Sequence, residues 1–163
     1  MGFFTPSYDR PPYRPPSEAG SVLIRATRGC PWNRCTFCSM YKDMRFEKRP
    51  VEDVLGDIDT AHRLYGSRAS SVFIGDSNSL VLDSGVLEKI LRRIHERFRS
   101  LERVTSYARA RTLVKKSPEA LRGIRQAGLS RLHIGLETGS DELLGEIKKG
   151  ASAEQVVEGS VRA

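Results

Sequence analysis

Four times along this chain a short β-type run gives way to a stretch with helical spacing. That alternation restricts the fold more than any other feature. The β-type runs are residues 21–27, 71–74, 104–108 and 131–136. The first helical stretch, 51–65, carries apolar residues at Val51, Val54, Leu55, Ile58, Ala61 and Leu64, the three-and-four spacing of one helix face. Residues 86–98 repeat it at Val86, Leu87, Ile90, Leu91, Ile94 and Phe98. Gly66 is placed to end the first helix. Ser117 followed by Pro118 predicts an N-cap with proline at the first helical position, and that helix ends near Ala127-Gly128. Residues 141–147 form a fourth predicted helix, and another starts at Ser152. The repeated βα pattern predicts an α/β fold with a parallel sheet and helical crossovers. A chain of 163 residues is long enough to bury a core as one domain.

Parallel βα architectures place their chemistry at the carboxyl ends of the strands. Four polar segments follow the four predicted strands. They are a cysteine loop, Gly75-Asp76-Ser77-Asn78, Arg109 with Arg111, and Glu137-Thr138-Gly139-Ser140. All four are expected on one face. The cysteine loop holds every cysteine of the chain, Cys30, Cys35 and Cys38, in a C-x4-C-x2-C spacing. An odd number of thiols in one short loop argues against a disulfide framework and for a metal site in a reducing compartment. Three thiolates would hold three corners of a cubane iron–sulfur cluster and leave one iron open. Two other readings stand beside it. Plant-type ferredoxins share the spacing but require a fourth cysteine. A zinc site would need a histidine, and His62, His95 and His133 lack zinc-finger spacing.

The first 20 residues are Pro-rich, with Pro6, Pro11, Pro12, Pro15 and Pro16, which predicts an extended leader before a core at 21–163. No run of about 18 apolar residues predicts a membrane span, and no secretory signal pattern opens the chain. A cytoplasmic protein is the expectation. The net charge of +7 fits a solvated surface or an anionic partner. Nucleic acid is possible on charge alone, but no nucleic-acid fold signature accompanies it.

The segment Thr27-Arg28-Gly29-Cys30-Pro31-Trp32-Asn33-Arg34-Cys35-Thr36-Phe37-Cys38, followed by Met40-Tyr41-Lys42, resembles radical S-adenosylmethionine (SAM) enzymes. So do Tyr107-Ala108-Arg109 and residues 128–140, and the resemblance spans 17–163. The commonest spacing in that family is C-x3-C-x2-C, so this loop carries one extra residue, as in a subgroup with C-P-W-N-R-C. The resemblance implies a [4Fe–4S] cluster on Cys30, Cys35 and Cys38, with SAM chelating the open iron. It implies reductive cleavage of SAM to a 5′-deoxyadenosyl radical that abstracts hydrogen from an unknown substrate. An external electron donor of the flavodoxin or ferredoxin type follows from that chemistry.

By the same resemblance, Phe37 lies by the adenine, and Gly75, Asp76 and Ser77 meet the SAM amino group. Arg109 pairs with the SAM carboxylate, with Arg111 as the fallback, and Glu137 meets the ribose hydroxyls. Plainer roles are open for each: loop packing for Phe37, an Asx turn for Asp76, capping or an ion pair for Glu137. Trp32 and Tyr41 are expected to pack around the cluster loop. The family core is an incomplete (βα)6 barrel, of which four βα units are legible, so the chain is expected to continue past Ala163. The alternative function is a non-catalytic metal-cluster module, or an inactive fragment of such an enzyme.

Overall fold

A computed structural model describes Tyr8 and residues 13–163. Pro6, Pro11 and Pro12 of the expected leader lie outside the described residues. Its elements are β1 (Val22–Arg25), β2 (Thr27–Arg28), β3 (Glu47–Lys48), α1 (Val51–Tyr65), β4 (Ser71–Gly75), α2 (Ser84–Arg97), β5 (Arg103–Ala108), α3 (Ala110–Lys115), α4 (Pro118–Gln126), β6 (Arg131–Ile134), α5 (Asp141–Glu146) and α6 (Ala153–Arg162).

Helices α1, α4 and α6 start and stop close to where the sequence signals them. The Ser117 hydroxyl accepts from the Ala120 N–H and caps α4. Ser152 and Gln155 close a capping box on α6, which satisfies two otherwise orphaned N–H groups. Gly66 ends α1 with its N–H on the His62 carbonyl.

β1, β4, β5 and β6 form one sheet in that order, and every neighbouring pair is parallel. Val22 stands opposite Val72, Val72 opposite Val104, and Ser106 opposite Leu132. Side chains alternate across a strand, so one face of the sheet carries Val22, Ile24, Val72, Ile74 and Val104. These pack into one apolar cluster with Ile58 of α1 and Leu87 and Ile94 of α2. Each such side chain contributes about 1.5–3 kcal/mol by leaving water. The other face carries Phe73, Thr105, Tyr107 and His133. Phe73 and Tyr107 meet edge to face with centroids 5.1 Å apart, and Tyr107 and His133 are 6.0 Å apart. Buried Glu18 sits under this second face, with Arg103, Arg131 and His133 each 3.5 Å from its carboxylate.

Three local features depart from the sequence reading. The expected strand 21–27 breaks at Ala26, and β2 leaves the sheet to pair antiparallel with β3. A two-residue Glu-Lys strand carries no apolar signal. Helix α3 follows β5 directly and is too short to show a period. Strand β6 ends at Ile134, not at residue 136, because the Thr138 N–H turns back onto the Leu136 carbonyl at 2.8 Å with Glu137 at φ +59°.

Candidate active site

The cysteine loop runs from β2 to β3 and is stapled to two neighbouring segments. From the β4 side, the Gly29 N–H donates to the Asp76 carboxylate at 3.0 Å, and the Ser77 hydroxyl donates to the Gly29 carbonyl at 3.0 Å. From the turn after α5, the Ile147 carbonyl accepts from the Thr36 N–H at 3.0 Å, and the Lys148 carbonyl accepts from the Trp32 indole at 2.7 Å. The Trp32 ring lies where a Cβ on Gly150 would be, and Gly150 has φ +70°, so only glycine fits there. Within the loop, the Asn33 side chain donates to the Tyr41 carbonyl at 2.5 Å.

All three cysteines are free thiols, partly exposed, and all three line one cavity of about 470 Å³. Phe37, Ser77, Arg109 and Glu137 line it too. Four separate loops at the carboxyl ends of the parallel strands therefore meet, as their positions predict. Among the described residues, no group of three His, Cys, Asp or Glu converges closely enough to share one metal ion. Corner thiolates of a cubane bind different irons and need not converge on a point.

Two predicted residues stand apart. The carbonyl of Gly75 accepts from the Ala26 N–H. Asp76 is fully buried, with its carboxylate 3.1 Å from the Arg25 Nε. Neither lines the cavity; Ser77 is the member of that segment that does. Arg109 reaches the cavity while its guanidinium donates to the Lys149 carbonyl at 2.7 Å and stacks 5.0 Å from the Trp32 ring. Arg111 turns to the Gly150 carbonyl at 3.5 Å. The Phe37 ring is 55% exposed, with the Lys149 ammonium 5.9 Å from its centroid.

Lys149, His133 and Tyr107 also line the cavity, and sequence reasoning assigned them no role. Lys149 pairs with Glu137 at 2.6 Å, so the ion-pair role left open for Glu137 is present. No motif marks Lys149; the turn after α5 delivers it. Tyr107 and His133 were findable from strand alternation and register. Burial pushes the Cys35 thiol up from its ordinary value, while the charges of Lys149 and Arg109 pull the other way. Burial lowers Arg109, against the pull of Cys30 and Cys35. Burial and the nearby Asp76 carboxylate raise Tyr41 far above the ordinary phenol range.

Residues 24–163 match the model of the radical SAM superfamily. The chain belongs to the radical SAM superfamily. Membership implies a [4Fe–4S] cluster and SAM, together with a reductant and a substrate. The chain is 28% identical over 159 residues to the uncharacterized methyltransferase PH0819 of Pyrococcus horikoshii, covering 94% of this chain and 32% of that protein. It superposes with a TM-score of 0.64 on the cobalamin-dependent SAM radical enzyme OxsB with aqua-cobalamin and SAM bound, at 25% identity. That match covers 84% of this chain and 21% of OxsB. With aqua-cobalamin alone bound, OxsB matches at a TM-score of 0.63 and 24% identity, over 83% of this chain and 21% of that one. The chain thus spans about a third of its curated relative. Among the described residues, no helix is long and apolar enough to cross a membrane.

Proposed function

We propose that Cys30, Cys35 and Cys38 hold a [4Fe–4S] cluster whose open iron takes SAM, and that the protein generates a 5′-deoxyadenosyl radical for hydrogen abstraction. The observation that carries this reading is the shared cavity of the three thiols with Phe37, Ser77, Arg109 and Glu137. When bound, the cluster supplies the electron that cleaves the SAM sulfonium. The protein's own side chains bind and orient. The exposed Phe37 ring offers a flat face to adenine. Arg109 faces the SAM carboxylate with the part of its fork that Lys149 leaves open. Glu137 serves the ribose hydroxyls, held in place by Lys149. Ser77 receives the amino group, with Asp76 as the buried support behind it. The four parallel strands form part of a six-unit barrel, and three free thiols suit a reducing cytoplasm.

The test uses the full-length protein, reconstituted anaerobically. It is expected to carry about four irons per chain and to release 5′-deoxyadenosine with dithionite and SAM. Serine at any of the three cysteines should abolish both. One equivalent of zinc with no iron absorbance would favour a non-catalytic module instead. The names of PH0819 and OxsB raise cobalamin-assisted methyl transfer. S-adenosylhomocysteine among the products would mark that chemistry, and 5′-deoxyadenosine marks radical formation.

A further inference from the structure

Trp32 and Arg109 line two cavities at once. The second, of about 520 Å³, opens between the Pro31-Trp32 turn and α3. Every charged side chain lining it is positive: Arg109, Arg111, Lys115 and Lys116. Their hydrogen bonds go to neutral acceptors. Arg109 uses the Lys149 carbonyl and Arg111 the Gly150 carbonyl, while Lys116 donates to the Leu82 carbonyl at 3.1 Å and the Ser84 hydroxyl at 3.0 Å. Of the charges on neighbouring elements, Asp83 attracts Lys116 and Lys48 repels it. Arg34 adds a guanidinium 5.3 Å from the Trp32 ring, so two guanidiniums lie close to this indole. A concave patch of one sign concentrates and steers an oppositely charged partner.

A cluster on the three thiols needs an outside electron, and the cysteine cavity is the space that SAM and substrate fill. The basic cavity offers a second approach, with Trp32 and Arg109 as the common wall. We propose that the cavity between α3 and the Pro31-Trp32 turn docks an acidic one-electron donor protein of the flavodoxin class, with Trp32 as the wall it shares with the cysteine cavity. The proposal rests on the cluster assignment above. In the step it serves, a flavin hydroquinone anion gives up one electron and becomes the neutral semiquinone. The electron goes to the cluster, and no proton is released. An RNA backbone is also anionic, but it gives no reason for the patch to share a wall with the thiols.

The experiment uses the reconstituted full-length protein and a bacterial flavodoxin. Binding of the oxidised flavodoxin is measured by calorimetry, and reduction by its hydroquinone by stopped flow. Lys116 is bonded within the fold, so exposed Lys115→Glu is paired with K115E/K116E to separate docking from folding. Both variants should weaken binding and slow flavodoxin-driven reduction, the double variant by about tenfold or more. R92E/R122E makes the same charge change on exposed faces of α2 and α4 and should stay within about twofold of wild type. Dithionite-driven SAM cleavage should be equal in all variants. The proposal is overturned if K115E/K116E binds and accepts electrons like R92E/R122E. It is also overturned if K115E/K116E loses affinity for a tRNA transcript while keeping flavodoxin. Wild-type protein that cleaves no SAM with dithionite would instead sink the cluster assignment, and the calorimetric comparison would still decide the docking surface.

Discussion

Asp76 is the residue whose expected and observed surroundings differ most, and its removal is a sharp test of the site's architecture. Its buried carboxylate ties two things together: Arg25 at the end of β1, at 3.1 Å, and the Gly29 N–H at the start of the cysteine loop, at 3.0 Å. Both side chains of the pair are essentially inaccessible, at 1% and 0% exposure. Deleting one partner of a buried ion pair leaves a charge in a poorly solvated place and costs about 3–5 kcal/mol. With a urea m-value of about 2 kcal/mol per molar, Asp76→Ala should lower the unfolding midpoint by about 1.5–2.5 M. Asp76→Asn keeps an acceptor for Gly29 and should lose less, about 2–3 kcal/mol. Urea unfolding of the metal-free protein, followed by circular dichroism at constant pH and salt, measures both. Because the carboxylate staples the loop that carries the thiols, iron uptake by D76A should fall in parallel. A D76A midpoint within about 0.3 M of wild type would refute the reasoning, and the carboxylate would then have to act elsewhere.

Other expectations follow from single contacts. Gly150→Ala forces a left-handed backbone onto alanine and a Cβ into the Trp32 ring, so it should destabilise by at least about 1–2 kcal/mol. Trp32 is the sole tryptophan, so its emission should shift with the change; unchanged emission would place the indole elsewhere. Gly159→Ala would ordinarily stabilise a helix by about 1 kcal/mol. Here the new Cβ would meet the Ala110 carbonyl oxygen at 2.7 Å, so thermal unfolding should show a loss of about 1–3 kcal/mol.

Burial alone would raise the Glu18 carboxyl, but hydrogen bonds from Ser21 and Thr105 and the Arg103 charge outweigh it and hold it below its ordinary value. A depressed carboxyl contributes stability above its unfolded pKa of about 4.3 that fades as pH falls through the folded value. Wild type should therefore lose stability from about pH 5 downward more steeply than Glu18→Gln. Parallel urea profiles for the two proteins would show that Glu18 does not carry this dependence.

Helix α2, helix α4 and strand β5 illustrate what was legible. Each has enough length for a period or a cap to show, and the cap atoms form the bonds their residue types predict. The cysteine spacing likewise pointed to a metal loop, and strand ends pointed to a shared face, because both follow from backbone topology. Lys149, the Glu137 ion pair and the inward turn of Asp76 were not legible. They depend on where a short turn delivers a side chain, which no local pattern encodes. Helix α3 and the β2–β3 pair were too short to show a period at all.

The amino-acid sequence by itself determined the parallel βα order, the approximate limits of the longer helices and the gathering of polar loops at one end of the sheet. Periodicity and capping act within a few residues, and strand alternation then carries them across the sheet. Only the tertiary structure decided which polar groups face the cavity and which are consumed in holding it. Asp76 went to Arg25 and Gly29, Arg109 to the Lys149 carbonyl, and Trp32 to the wall between two cavities. Those choices arise because a buried charge or a donor must find a partner, and the partners come from segments far apart in the chain.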